Sequence, residues 1–418
     1  MTVRYHWQAQ SLAPLHFAGG RALGEAAETL HYIPGTALRG ALAAAFLAAN
    51  DASAPSFRPL TEEARFSNLY PVTDSGAASA PLPLSSVTCG HTPGFLADGG
   101  HGVGDLLLPA EAALLAKEAS AGANGPPAAP GWIPPDREAL AACRRCPEER
   151  RRLPAPGTIP WRGFYARREG GPLQASVNVG TALEGKPTGR RQLAQHTVTV
   201  RQTLVVGQHF SGIVAFPDTG TADMVTQLLR RQDDQLWVGA GRSRGLGAVH
   251  IASTDVAALD EDMASRQAGL TAALVKRGAP NEVALPENYS YMALTLQSAA
   301  LLPDAFGRWQ RTISADALSA WAGWPAGTVE LRQVFVAETA IEGWNAALGL
   351  PKPDAMAIPA GSCWLFRIRD VPVADVVAAF QRLEAEGIGE RRQEGFGMLR
   401  ACDALHWQEP EMEQEQPA

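Results

Sequence analysis

One six-element pattern is written twice in this chain, and that duplication limits the folds open to it. In the first copy, Tyr5 to Phe17 alternates as a strand does, Gly35 to Ala49 is Ala- and Leu-rich and predicts a helix, and Thr197 to Phe216 predicts two strands around a turn at Gly207. Thr221 to Arg231 follows as a helix with Met224, Leu228 and Leu229 as its apolar residues, and Leu236 to Ile251 closes as a hairpin around a loop of glycines and arginines. In the second copy, Tyr291 to Ala300 predicts a strand, and Ser314 to Ala322 a short helix that Ser314 can cap. Val329 to Glu338 and Ser362 to Ile368 predict strands, Val373 to Glu386 an amphipathic helix carrying Val376, Val377, Phe380 and Leu383, and Gly387 to Leu405 a second glycine-containing hairpin.

Read β-α-β-β-α-β twice, the pattern predicts an α+β protein of two ferredoxin-like (RRM-type, βαββαβ) units, with a long insertion in the first. The same sheet is an RNA platform in RRM domains. The predicted division is residues 1–254 for the first unit, interrupted at about 51–196, then a helical linker over 255–286, a second unit over 287–408 and an acidic tail over 409–418. The insertion is rich in Gly, Pro, Ala and Ser, most of all from Ala119 to Pro135, and a stretch that long without elements is functional or disordered.

With 418 residues, 46% of them hydrophobic and 19% charged, the chain can bury two or three cores. Met1 to His6 shows no secretory pattern, and the longest apolar run, Ala41 to Ala49, is too short to span a bilayer, so a soluble, cytoplasmic protein without membrane partners is expected. A net charge of -7 argues against a protein coated in nucleic acid. Arginines nevertheless crowd the stretch from Arg144 to Arg201, including Arg150, Arg151, Arg152, Arg162, Arg167, Arg168, Arg190 and Arg191, which suits contact with RNA on one face.

Five cysteines are too few for a disulfide framework in a chain of this length. Cys363 and Cys402 sit in strand-like segments as small core residues. Cys89, His91, Cys143 and Cys146 form two short chelating pairs, and a tetrahedral zinc ion would stabilise a segment that lacks a core of its own. His101 competes for the fourth position.

The loop Gly239-Ala-Gly-Arg-Ser-Arg-Gly-Leu-Gly247 is the sharpest candidate contact for RNA. Gly239, Gly241, Gly245 and Gly247 would let main-chain N–H groups face phosphate, and Arg242 and Arg244 would add charge-assisted hydrogen bonds; the same loop also reads as a plain turn. Arg391, Arg392, Gly395 and Gly397 make a weaker counterpart, which holds Glu394. Ile33-Pro-Gly-Thr-Ala-Leu-Arg39 is a turn opening a helix that Thr36 can cap, with Arg39 one turn in, beside a helix end that suits phosphate. Trp161-Arg-Gly-Phe-Tyr165 offers aromatics beside arginine, for base stacking or for plain packing. Catalysis has thin support: His16, His31 and His196 are bases by residue type, and Asp74 is a loop aspartate, with nothing to make them converge.

Together these motifs resemble the RAMP superfamily of CRISPR effector subunits. The carriers are Ile33-Pro-Gly-Thr-Ala-Leu-Arg-Gly-Ala-Leu42, similar to its helix-opening motif, Gly241-Arg-Ser-Arg-Gly-Leu-Gly247, similar to its glycine-rich loop, and Phe210-Ser-Gly-Ile-Val214. Phe66-Ser-Asn-Leu-Tyr-Pro71 followed by Pro81-Leu-Pro-Leu-Ser85 looks most like the large type III-D RAMP subunit, the Csx-ten family. The resemblance implies an RNA-binding structural subunit of a type III CRISPR-Cas effector complex in antiviral defence, holding crRNA near its 5′ repeat-derived handle. It implies crRNA and target RNA, the large polymerase-like subunit and backbone RAMP subunits as partners, and an RNA-binding role for Arg39, Arg242, Arg244 and the loop glycines. The second glycine-rich loop and the acidic net charge depart from the pattern. Two alternatives stay open: a RAMP-family endoribonuclease using His31 or Asp74, and a zinc-stabilised scaffold that contacts only proteins.

Overall fold

In the computed structural model, the residues described are 3–18, 26–49, 57–73, 76–121, 143–146, 158–166, 175–177, 179–185, 200–255, 262–278, 285, 288–345 and 350–409. Asp74, His196 and the arginines at 150–152, 167, 168, 190 and 191 lie outside them.

Two antiparallel sheets organise the chain. In the first, Val3–Ser11 is central; it pairs with His209–Phe216 on one side and with Ala248–Asp255 on the other. Gln235–Trp237 adds to the outer edge of Ala248–Asp255, and Arg65–Phe66 and Tyr70–Pro71 pair with His209–Phe216. In the second, Tyr289–Leu296 lies between Cys363–Arg369 and Leu399–Ala401, and Val329–Phe335 pairs with Cys363–Arg369. With Tyr70–Pro71 and the edge strand Gln235–Trp237 set aside and the remaining four strands of each repeat numbered in chain order, both sheets run 4-1-3-2, the connectivity of a split βαβ unit.

The elements follow from local chemistry. The Asp218 carboxylate accepts from the Thr221 N–H at 2.7 Å and starts the helix Thr219–Arg230. Ser314 caps Ala315–Ala322 as expected, through Ala317 N–H at 3.1 Å. Val3–Ser11 alternates cleanly: Trp7, Ala9 and Ser11 are buried, and Arg4 and Gln8 are exposed. Trp7, Phe210, Val214, Phe216 and Ile251 pack under Leu38, Leu42 and Phe46 of the helix Gly35–Ala49 and under Val225, Leu228 and Leu229 of Thr219–Arg230. The first sheet is therefore covered on one face.

Four expected features differ. The strands around Gly207 do not pair with each other. Val200–Leu204 joins Thr181–Gly185 and Ala26–Ala27 in a separate sheet, because Gly207 N–H and Leu204 N–H turn to Ser11 and Leu15 instead. The second strand of the first unit is supplied by Arg65–Phe66, inside the stretch assigned to the insertion. The helix Met263–Gly278, placed in the linker, buries Met263, Leu270 and Leu274 in the second core. Gly387 to Leu405 gives one strand, Leu399–Ala401, followed by a short helix, Ala404–Trp407, rather than a hairpin.

The insertion is not a free appendage. Its helix Leu107–Ala121 sends Leu107, Leu108, Ala112 and Leu115 into the core of the second sheet. Ser290 through Leu296 are all buried, so the central strand of that sheet is covered on both faces. A buried ion pair fixes the contact: Arg332 Nε donates to Glu111 Oε1 at 2.8 Å and its Nη1 to Glu118 Oε1 at 2.8 Å, while Gln333 donates to Glu111 Oε2 at 3.1 Å. Among the described residues, no helix is long and apolar enough to cross a membrane.

Candidate nucleic-acid interface and metal centre

The face of the first sheet turned away from its helices is, among the described residues, partly open, with Arg4, Gln8, His209, Ala252 and Gln235 exposed and Ser211 buried. Register puts Gln10, Gln8, His6 and Arg4 on it, level respectively with His209, Ser211, Ile213 and Ala215 on one neighbour. His250, Ala252 and Thr254 are level with Gln10, Gln8 and His6 on the other, and Gln235 stands beside His250. Trp237 shares that face and is 42% exposed. Burial of the His6 ring lowers its pKa. Neither Trp237 nor this row of amides and imidazoles was singled out from the sequence; the polar half of the alternation in Val3–Ser11 carried the signal.

The first glycine-rich loop closes one end of this face. It is a short 3-10 turn, Arg242–Arg244, with a left-handed glycine at either side. Gly247 has φ +97°, and a Cβ there would lie 2.4 Å from Val238 O. The N–H groups of Ala240, Arg244, Gly245, Leu246 and Gly247 already donate to His16, Gly241, Arg242, Gly241 and Pro14 carbonyls. The glycines thus serve the turn, and these N–H groups are engaged within the protein rather than aimed at phosphate. What the loop presents outward is side chain: Arg242, Ser243 and Arg244 are exposed. Arg242 Nη2 donates to Trp237 O, and its partial burial lowers its pKa.

The other predicted contacts are turned inward. The helix beginning at Gly35, one residue before the expected cap Thr36, has its Gly35 N–H taken by Asn68 Oδ1 at 3.0 Å. Its N-terminus lies under the second glycine-rich loop, where a Cβ on Gly395 would meet Phe66 O at 2.4 Å and Gly35 Cα at 3.4 Å. Arg39 Nε donates to Thr61 O at 2.7 Å and its guanidinium stands 3.8 Å from Glu394. Arg391 and Lys352 hydrogen-bond the Glu394 carboxylate, Arg391 covers the Phe396 ring at 4.7 Å, and Gly395 and Gly397 are buried. This loop joins the two units. Burial pushes the Glu394 carboxyl up, but the hydrogen bonds and charges of Arg391 and Lys352 outweigh it and hold the group below its ordinary value. Tyr165 is buried, its hydroxyl donating to Asp403 at 2.6 Å, and Phe164 packs against Tyr70 and Tyr32, so these two aromatics are packing residues. His16 is buried with Nδ1 2.8 Å from Gln202 O, and His31 is exposed at the surface.

The cysteine pairs do converge, with one change of ligand. Cys89, His101, Cys143 and Cys146 bring four donor atoms within 4.8 Å of one another. Cys89 Sγ is 3.4 Å from Cys146 Sγ, and His101 Nδ1 is 3.6 Å from Cys143 Sγ and 3.5 Å from Cys146 Sγ. His101 replaces the predicted His91. Cys89 Sγ accepts the main-chain N–H groups of His91 and Thr92, so the chain turns at His91 to wrap the sulfur and its ring is not the donor. The turn Cys143 to Cys146 repeats this, with the N–H groups of Arg145 and Cys146 on Cys143 Sγ. Burial pushes all three thiols up; at Cys89 the N–H donors prevail and leave it below its ordinary value, while Cys143 stays above and Cys146 is pushed up to about 12. Edges near 3.5 Å fit a tetrahedron of about 2.3 Å metal–sulfur bonds. The group can hold a metal ion.

No family model matches the chain, and no curated protein matches it. Among solved structures, a chain of a type III-B Cmr-beta complex bound to cognate target RNA and AMPPnP aligns at 12% identity over 92% of this chain and 90% of that one, with a TM-score of 0.36. A CRISPR-associated Cas6 protein aligns at 8% identity over 96% and 99%, with a TM-score of 0.29. Cmr4 (Cas7) of Pyrococcus furiosus aligns at 10% identity over 60% and 100%, with a TM-score of 0.24.

Proposed function

We propose that the chain is an RNA-binding structural subunit of a CRISPR effector complex of the RAMP type, most like the large type III-D subunit, and that it holds crRNA near its repeat-derived handle. The observation that carries this reading is the open face of the first sheet, bounded by the exposed Arg242 and Arg244 at one end and carrying Trp237, His250, Gln10 and Gln8 across it. An aromatic ring, amides and imidazoles on an uncovered sheet suit unstacked bases, and guanidinium groups at its edge suit phosphate. The sequence motifs that resemble the superfamily support it independently.

On this reading the first RRM-like unit, within residues 1–254, does the binding. The second, 287–408, has its sheet covered by the insertion and serves as a scaffold toward partner subunits, the polymerase-like and backbone RAMP proteins. The Cys89, His101, Cys143, Cys146 group holds structural zinc. Arg39, Arg391 and Glu394, with the glycines of the second loop, act in joining the units rather than in binding RNA.

The test is to bind a repeat-derived RNA to the full chain and measure fluorescence anisotropy across a salt series. Trp237→Ala is expected to weaken binding by about 1–3 kcal/mol, as loss of one stacked base does. Arg242→Gln with Arg244→Gln should flatten the salt dependence by about 1.4 in slope. Unchanged affinity and slope in both variants would remove the proposal.

A further inference from the structure

Arginines also gather at the opposite end of the open sheet face, where the two units meet. Arg4 and Arg65 flank Ala215 on three adjacent strands, so they stand on the same face, level with one another. Both reach the last turn of the helix Val373–Glu386 of the second unit. Arg4 Nη2 lies 3.3 Å from Ala385 O, and Arg65 Nη1 lies 3.3 Å from Ala385 O and 2.9 Å from Glu386 O. Arg392, from the second glycine-rich loop, places Nη1 3.3 Å from Glu386 O.

A helix C-terminus favours a nearby cation, and a single guanidinium with five N–H donors can satisfy two carbonyls. Three are gathered here. Burial lowers the pKa of Arg65, the charges of Arg392 and Arg4 lower it further, and Glu386 is the carboxylate working the other way. Like charges held together against that cost, with hydrogen-bonding capacity left over, form an anion site. From Arg4 to Ser11, beside the Arg242 loop, the strand spans about 23 Å, so phosphate contacts bracket the bases' platform.

We propose that Arg4, Arg65 and Arg392 form a second phosphate site, built jointly by both units, over which the backbone of a bound single-stranded RNA leaves the first sheet. The inference rests on the RNA-binding reading above and adds to it the direction of the strand and a role for the seam between units. A phosphate seated there ties Arg4 and Arg65 of one unit to Arg392 of the other.

The experiment uses the full chain and fluorescein-labelled oligouridine, with anisotropy read from low to high potassium chloride and a melting curve for every variant. Gln keeps a donor for the helix carbonyls and removes the charge. The triple variant Arg4→Gln, Arg65→Gln, Arg392→Gln is expected to melt like the parent, to bind at least tenfold more weakly at low salt, and to lose about 2 from the slope of log affinity against log salt. Parent-like affinity and slope in the triple variant, with the slope still lost in the Arg242→Gln, Arg244→Gln variant, would overturn this site and leave the first intact. A parent chain that binds no RNA would overturn both.

Discussion

At the scale of single residues, the cysteine cluster separates the predicted ligand His91 from its rival His101. His91 sits two positions from Cys89, a natural chelating distance, and the chain uses it as a main-chain N–H donor to the sulfur, while His101 brings its ring to Cys143 and Cys146. Purified chain should therefore carry about one zinc ion by elemental analysis. His101→Ala should lose it and lower the melting temperature by several degrees. His91→Ala should keep it. Both variants losing metal, or neither, would contradict the assignment. The cysteines were legible because they form short pairs; the choice of histidine was not, because strand pairing at Val103–Asp105 is what returns His101 to Cys89. Glu394 is a second residue whose partners, Lys352 among them, only the fold brings together. Its carboxyl is held below the ordinary value by burial being outweighed by Arg391 and Lys352, so its stabilisation is full above the unfolded pKa and lost as pH falls through the lower folded one. Melting curves below about pH 4.5 should fall less steeply for Glu394→Gln than for the parent.

At the scale of elements, the two glycine-rich loops look alike in sequence and do different work. The first faces solvent and displays Arg242 and Arg244; the second is pressed onto the start of the helix Gly35–Ala49. Composition does not distinguish them, since glycine serves a turn and a close approach equally well. Glu394 was the available hint: an acid among arginines is a poor neighbour for phosphate and a good anchor for Lys352 and Arg391. Gly395→Ala would combine φ +88° with a Cβ 2.4 Å from Phe66 O, and should cost about 2 kcal/mol or more in urea unfolding. The same substitution at Gly245, where a Cβ meets nothing within 4 Å, carries only the penalty of φ +80° and should cost about half as much. Equal losses at the two positions would mean that the inter-unit contact contributes no stability. Strand and helix positions in the second unit as far as Glu386 were well marked by their periodicity. The second strand of the first unit was not, since Arg65–Phe66 has two residues and no alternation to read.

At the scale of the molecule, a sequence read as two units with an insertion and a linker folds into one interlocked body. Leu107–Ala121 lies in the stretch read as an insertion without elements, yet it forms a helix that packs on the second sheet rather than on the unit it interrupts. That exchange sets what each sheet presents: the central strand of the second is covered on both faces, and among the described residues the first keeps one face partly open. Burying Leu107, Leu108 and Leu115 stabilises by about 1.5–3 kcal/mol each, a sum comparable to the whole stability of a domain. Removing the helix also strands Arg332 without Glu111 and Glu118, and breaking such a pair costs about 3–5 kcal/mol. A fragment of residues 262–418 should therefore lack a cooperative melt and bind a hydrophobic dye. Adding a peptide of residues 106–121 in trans should restore the transition, and a peptide with Glu111→Gln should restore it less. A fragment that melts cooperatively at the parent temperature without the peptide would show the insertion helix to be a passenger, and the closure of the second sheet would then need another cause.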